Sequence, residues 1–188
     1  MKERRFDLYG NVRCLYCNIH FETQEHLFVC TGLFEQWEQV RRKCVDDSVA
    51  SIDNSQRKVI MSNETKSALI YWLRYILFNN FQTPIFSDYT LDQLLLKSFF
   101  PKFKVDELAA ILGNNKEAKY WGILIIRHFS MAFRDLIWKP RCDKVKKWEK
   151  DNNITLKEIK NRPSSDKYIK YSQTLTHDID GCTYDHKN

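Results

Sequence analysis

Between Leu69 and Leu77 the apolar residues fall at Leu69, Trp72, Leu73, Ile76 and Leu77, a three-and-four spacing that lines one side of an α-helix. Ser62 stands ahead of them as an N-cap. The same period places Phe34, Trp37 and Val40 of "LFEQWEQVRRKC" on one face, with charges opposite. Thr90 with Gln93 is a capping-box pattern before "LLLKSFF", which Pro101 ends. A short helix, "DELAAIL", stops at Gly113, a residue suited to the left-handed C-cap. The longest helix is predicted from just after Asn115 to Trp138, burying Ile126, Phe129, Phe133, Leu136 and Ile137. Pro140 breaks it and suits the first turn of a further helix reaching Asp151. Thr155 with Glu158 repeats the capping-box signature for a last short helix. No alternating strand pattern of useful length and no internal repeat interrupts this, so the predicted fold is mainly α.

Composition supports a packed core. Of 188 residues 43% are hydrophobic, and only five glycines and four prolines punctuate them, which favours long helices over a turn-rich sandwich. The two most apolar stretches, "SALIYWLRYILF" and "YWGILIIRHFSMAF", fall short of the roughly 18 apolar residues of a membrane span. Arg74, Arg127 and His128 interrupt them, so both read as buried helices, with no membrane partner. "MKERRFDLYG" lacks the apolar core of a secretory signal. The expected setting is therefore intracellular, nuclear or cytoplasmic, where disulfides seldom persist.

That setting bears on "CLYCNIHFETQEHLFVC", residues 14–30, which holds three cysteines and two histidines. Cys14-x2-Cys17 is the tight turn that presents two thiolates to one ion. Thr23 can N-cap a helical turn, which sets His26 and Cys30 four residues apart on one face. Three soft thiolates and an imidazole select tetrahedral zinc. A redox C-x-x-C belongs before a helix in a βαβ setting, which is missing here, and a disulfide conflicts with the compartment. Cysteines serving only as small core residues do not account for four ligands at ligand spacing. His20 competes with His26, but Cys17-x2-His20 is cramped. Four protein ligands close the shell, so one structural Zn²⁺ is expected at Cys14, Cys17, His26 and Cys30. The predicted order is a small zinc-binding module over 1–45, a linker over 46–61, a helical bundle over 62–160 and an aperiodic, disordered basic tail over 161–188.

These residues carry a resemblance. Cys14-x2-Cys17, then Glu22-Thr23, then His26-Leu27-Phe28, then Cys30 with Trp37 seven positions on, resembles the zinc-binding domain of non-LTR (LINE-type) retrotransposon reverse transcriptases. "RRFDLYGNVRCLYC" and "IWKPRCDKVKKWEK" are also similar to segments of such elements. The family more often has four residues between that histidine and the last cysteine, where this chain has three. The resemblance implies a C-terminal region that follows a polymerase palm and handles nucleic acid.

No polymerase chemistry accompanies it. The one Asp-Asp, Asp46-Asp47 in "CVDDSV", enters a polar stretch without flanking apolar strands and reads as a solvated loop. No glycine-rich phosphate loop, G-x-S-x-G or H-E-x-x-H is present, so neither an enzyme nor a small-molecule substrate is expected. Charge points elsewhere. The chain's net charge is +6, and Lys139–Lys170 alone holds eleven Lys/Arg against five Asp/Glu, the same excess. A nucleic-acid-binding module, for RNA or DNA, is thus expected to meet phosphates through Arg4, Arg5 and Arg13 and through Lys139, Arg141, Lys144, Lys146, Lys147 and Lys150. Trp148, Tyr168 and Tyr171 lie among those cations as candidate base stackers, although Trp148 pairs with Val145 as core on helical spacing. The alternatives are a zinc-stabilised protein-interaction module presenting Phe34 and Trp37, or an expressed relic. His128, Cys44 and Cys142 read as core residues; His177, Cys182 and His186 could bind a metal, but their spacing is loose and the tail is expected to be disordered.

Overall fold

A computed structural model describes residues 12–21, 23, 25–53, 61–79, 84–86 and 88–160. The expectations for Arg4, Arg5, the end of the linker at 54–60 and the tail at 161–188 lie outside the described residues. The chain forms two units, Thr31–Cys142, and Met1–Cys30 together with Asp143–Asn188.

The first of these is helical. A 3-10 turn at Thr31–Leu33 leads into α2, Phe34–Asp53; α1, in the other unit, is His26–Val29. α3 (Asn63–Asn79), α4 (Leu91–Leu96), α5 (Lys102–Leu112) and α6 (Asn115–Phe133) follow. α6 is central, packed along α2 and α5 and against α4, while α3 packs on α2 and α5. The stripe of α3 is buried as its spacing requires. Leu69, Leu73, Ile76 and Leu77 meet a core that includes Leu33, Val40, Leu91, Leu95, Leu108, Ile125 and Phe129. Each such side chain contributes roughly 1.5–3 kcal/mol when removed from water. Trp37 stacks on Phe129 and Phe133, centroids 6.3 and 5.4 Å away.

The caps form where the residues place them. Thr90 and Gln93 close a reciprocal capping box at α4, and Gly113 ends α5 at φ 65°. Thr65 N donates to Ser62 Oγ (3.2 Å), and Asn114 caps α6. No helix among the described residues is long and apolar enough to cross a membrane.

α4 ends at Leu96, short of the expected stop at Pro101, and Pro101 instead caps α5; three larger features also depart from the expected elements. α2 does not stop at the polar run; it continues through Asp46-Asp47 to Asp53. Its buried stripe runs on through Cys44, Val45, Ser48 and Ile52, and serines fill polar-looking positions without leaving the helix. Ser48 bonds His128 Nδ1 at 3.0 Å, and Ser51 donates to the Asp47 carbonyl at 2.9 Å. Asp47, expected in a solvated loop, pairs with Lys43 one turn back, and α2 groups with residues 31–142 instead of with the N-terminal module. Second, β1 (Pro84–Phe86) and β2 (Tyr89–Thr90) form a small antiparallel hairpin, too short to show a period in sequence. Third, α6 passes through a π-helical turn, Arg134–Trp138, into α7, Lys139–Asp151, without a break. Proline lacks an N–H and crowds the carbonyl four residues earlier. Widening the turn, with Lys139 N–H bonded to Arg134 O, accommodates Pro140 inside one rod.

In the other unit, the Val12–Phe21 loop, α1, the part of α7 from Asp143 onward and α8 (Leu156–Lys160) are described. Glu158 and Thr155 cap α8 reciprocally. Val12, Leu27 and Val145 are its buried aliphatics, and Trp148 is half-buried.

Candidate metal centre

The N-terminal half of the site is a folded-back loop. Arg13 and Phe21 pair across its mouth, and Arg13 Nη1 donates to the Ile19 carbonyl at 2.7 Å. Inside, Cys14 N donates to His20 O (2.7 Å) and Asn18 N to Cys14 O (2.8 Å). The reversal needs a left-handed residue, and Asn18 supplies it at φ 56°, one of the few side chains that tolerate that region. The turn aims the backbone amides of His20 and Ile19 at Cys17 Sγ. Those donors pull its thiol from 9.0 down to about 6, with smaller help from His26 and Cys30. A lowered thiol is a thiolate at neutral pH, the form that binds metals.

The second half is one helical turn. Thr23 Oγ1 accepts from His26 N at 3.1 Å, although the helix begins at His26 with Glu25, not Thr23, in the cap position. His26 and Leu27 are buried in α1, and Cys30 follows in extended backbone. The two halves meet. Cys14 Sγ lies 3.4 Å from Cys30 Sγ, and Cys17 Sγ lies 3.3 Å from His26 Nε2. All four donor atoms lie within 4.8 Å of one another. Cys14, Cys30 and His26 are buried and Cys17 half-buried.

The donors fit an ion. A tetrahedral metal with bonds near 2.3 Å sets its ligand atoms about 3.8 Å apart, within the span seen here. No disulfide links these cysteines, whose sulfurs are too far apart for a bond of about 2.05 Å. His20 is exposed, its ring 5.1 Å from that of His26, and it is not among the four clustered donors. Four protein donors leave no position open for a substrate, so a metal here holds structure together.

The expected phosphate-binding cations divide. Lys147 and Lys150 are exposed on α7. Lys146 is exposed beside Asp143 (3.4 Å), a pair that water screens. Lys144 Nζ sits 3.9 Å above the Tyr16 ring. Lys139 pairs with Asp135 at 2.9 Å; Lys139 and Arg134 together hold that carboxyl down at about 2. Arg13 is exposed while one nitrogen serves the loop.

Arg141 requires a correction. It is buried, its guanidinium 5.3 Å from the Trp138 ring, and is not available to phosphates. Four residues before Val145 and seven before Trp148, it lies on the inward stripe of α7. Helical spacing gave that signal; its charge obscured it.

Cys44 is a core residue as expected, whereas His128 is half-buried and bonded to Ser48. Burial lowers the His128 imidazole and pushes the Cys44 thiol up to about 12. Cys142 is half-buried. Sequence reading missed the ion pair Arg41–Asp92, 2.8 Å apart with both side chains buried. It also missed Glu107, which accepts from Trp72 Nε1 (2.8 Å) and pairs with the buried Lys104 (2.9 Å). A scan of protein-family models, a search of curated proteins and a search of solved structures each found no match to this chain.

Proposed function

We propose that Cys14, Cys17, His26 and Cys30 hold one structural zinc ion and that the unit so formed binds RNA or DNA without catalysing a reaction. Thiolate-rich mixed sulfur and nitrogen donors at tetrahedral spacing favour zinc over harder divalent ions. The sequence spacing of these ligands and their neighbours resembles that of the zinc-binding region of LINE-type reverse transcriptases, and on this reading the chain grips nucleic acid as such a region does.

One observation carries the proposal. Tyr16 lies between the two loop ligands, and Lys144 stands over its ring. The loop therefore shares a unit with the α7 cations from Lys144 onward, of which Lys144, Lys147 and Lys150 face water. Phosphates are neutralised there with release of counterions. Filter binding of the full chain to RNA and to DNA at two salt concentrations tests this. Affinity that falls steeply with salt supports it; absent or salt-independent binding sinks it. Native mass spectrometry before and after chelation tests the zinc.

The protein-interaction reading depended on Trp37 as a surface anchor. Trp37 is 3% exposed and stacked within the helical core, which leaves only Phe34 of that pair at the surface.

A further inference from the structure

α3 is amphipathic in an unusual sense, because its outer face is also aromatic. Tyr71, Arg74 and Tyr75 lie opposite the buried stripe at spacings of three and four. Tyr71 is 74% and Tyr75 46% exposed, a poor arrangement for residues whose rings gain by leaving water. Beside them α2 contributes Arg42, Val45 and Asp46, and together the two helices line an open groove of about 490 Å³. Val45 is buried and forms its apolar floor. Arg42 is engaged by Glu38. Among the described residues neither tyrosine nor Arg74 has a hydrogen bond or ion pair.

We infer that this groove takes unpaired bases of single-stranded RNA or DNA, with Tyr71 and Tyr75 as stacking platforms and Arg74 as the phosphate contact. The inference rests on the nucleic-acid reading above and adds a second surface, within Thr31–Cys142, that grips bases where α7 grips phosphates. The two rings stand one turn apart, about 6 Å along the axis, with the guanidinium between them in sequence. Rings that accept any base face, alternating with a cation, form the pattern of single-strand binding. Asp46 counts against a purely phosphate ligand, since its carboxylate repels anions. It suits a base edge, where a carboxylate accepts from the exocyclic amine of cytosine.

The test is fluorescence anisotropy of a short fluorescein-labelled oligo-dC titrated with the full, metal-loaded chain at low salt. Tyr71→Ala with Arg74→Gln is expected to weaken binding tenfold or more, given the size of one lost base stack. Tyr71→Phe with Arg74 intact keeps a ring and retains near wild-type affinity, which separates stacking from fold damage. Wild-type affinity in the Ala/Gln variant, with affinity lost in Lys147→Gln/Lys150→Gln, overturns the groove and leaves the α7 reading standing. No oligonucleotide binding by the wild type overturns both.

Discussion

The two units solve the same problem by different means. Thr31–Cys142 buries leucine, isoleucine and aromatic side chains around α6. The unit of Met1–Cys30 and Asp143–Asn188 has Val12, Leu27 and Val145 as its buried aliphatics among the described residues. At roughly 1.5–3 kcal/mol each, these fall below the roughly 10–16 kcal/mol that a structural zinc brings to a small finger. A chain short of apolar surface can be ordered by four ligand atoms where its neighbour uses a dozen side chains. The difference predicts that the two units fail independently and under different insults.

The largest separation should come from the metal. A strong chelator, or Cys14→Ser, is expected to abolish amide-exchange protection over residues 12–30 while leaving most helical circular dichroism intact. Simultaneous loss of all helix would show that the units are not independent. Next in size, Trp37→Ala removes a stacked core ring and should cost the helical unit about 3–5 kcal/mol, read as a lower urea midpoint, with metal stoichiometry unchanged.

A smaller contrast lies along α7. Arg141→Gln should lower stability by about 1 kcal/mol through lost packing, with little change in the salt dependence of nucleic-acid binding. Lys147→Gln should do the reverse, leaving stability within about 0.5 kcal/mol and reducing the log–log salt slope by about 1. Equal effects would erase the division between inward and outward cations.

The smallest effect is one of pH. Burial raises the Asp92 carboxyl from 3.8 to about 6, outweighing the attraction of Arg41. The folded state thus binds this proton more tightly than the unfolded chain. From about pH 6 downward to about 4, acidification should add stability to the helical unit through Asp92, and Asp92→Asn should remove that slope from urea midpoints. The metal unit should respond in the opposite sense, since protons compete with the ion for thiolates and imidazole.

Much of this was legible in the chain because it rests on local periods. The α3 stripe, the capping boxes, the Gly113 terminus and the grouping of Cys14, Cys17, His26 and Cys30 each depend on spacings of two to four residues. What escaped depends on partners far along the chain or on residues whose letters mislead. Ser48 looks like linker and is a buried member of α2 because His128, eighty residues away, satisfies it. Arg41 and Asp92 look like surface charges until their contact, fifty-one residues apart, is seen. Arg141 reads as a phosphate ligand by charge and as core by position, and position won. The widened turn before Pro140 has no signal except the proline, which argues for a break.

The unit with the four-ligand cluster is assembled from two stretches far apart in the sequence. Cys14 through Cys30 leave the ribosome before Thr31–Cys142, whereas Lys144, which covers Tyr16, and Val145 emerge only after the whole of it. The helical body can thus mature while the finger still awaits its last wall. A truncation before Asp143 should then leave four ligands intact in sequence and deprived of the surface they fold against.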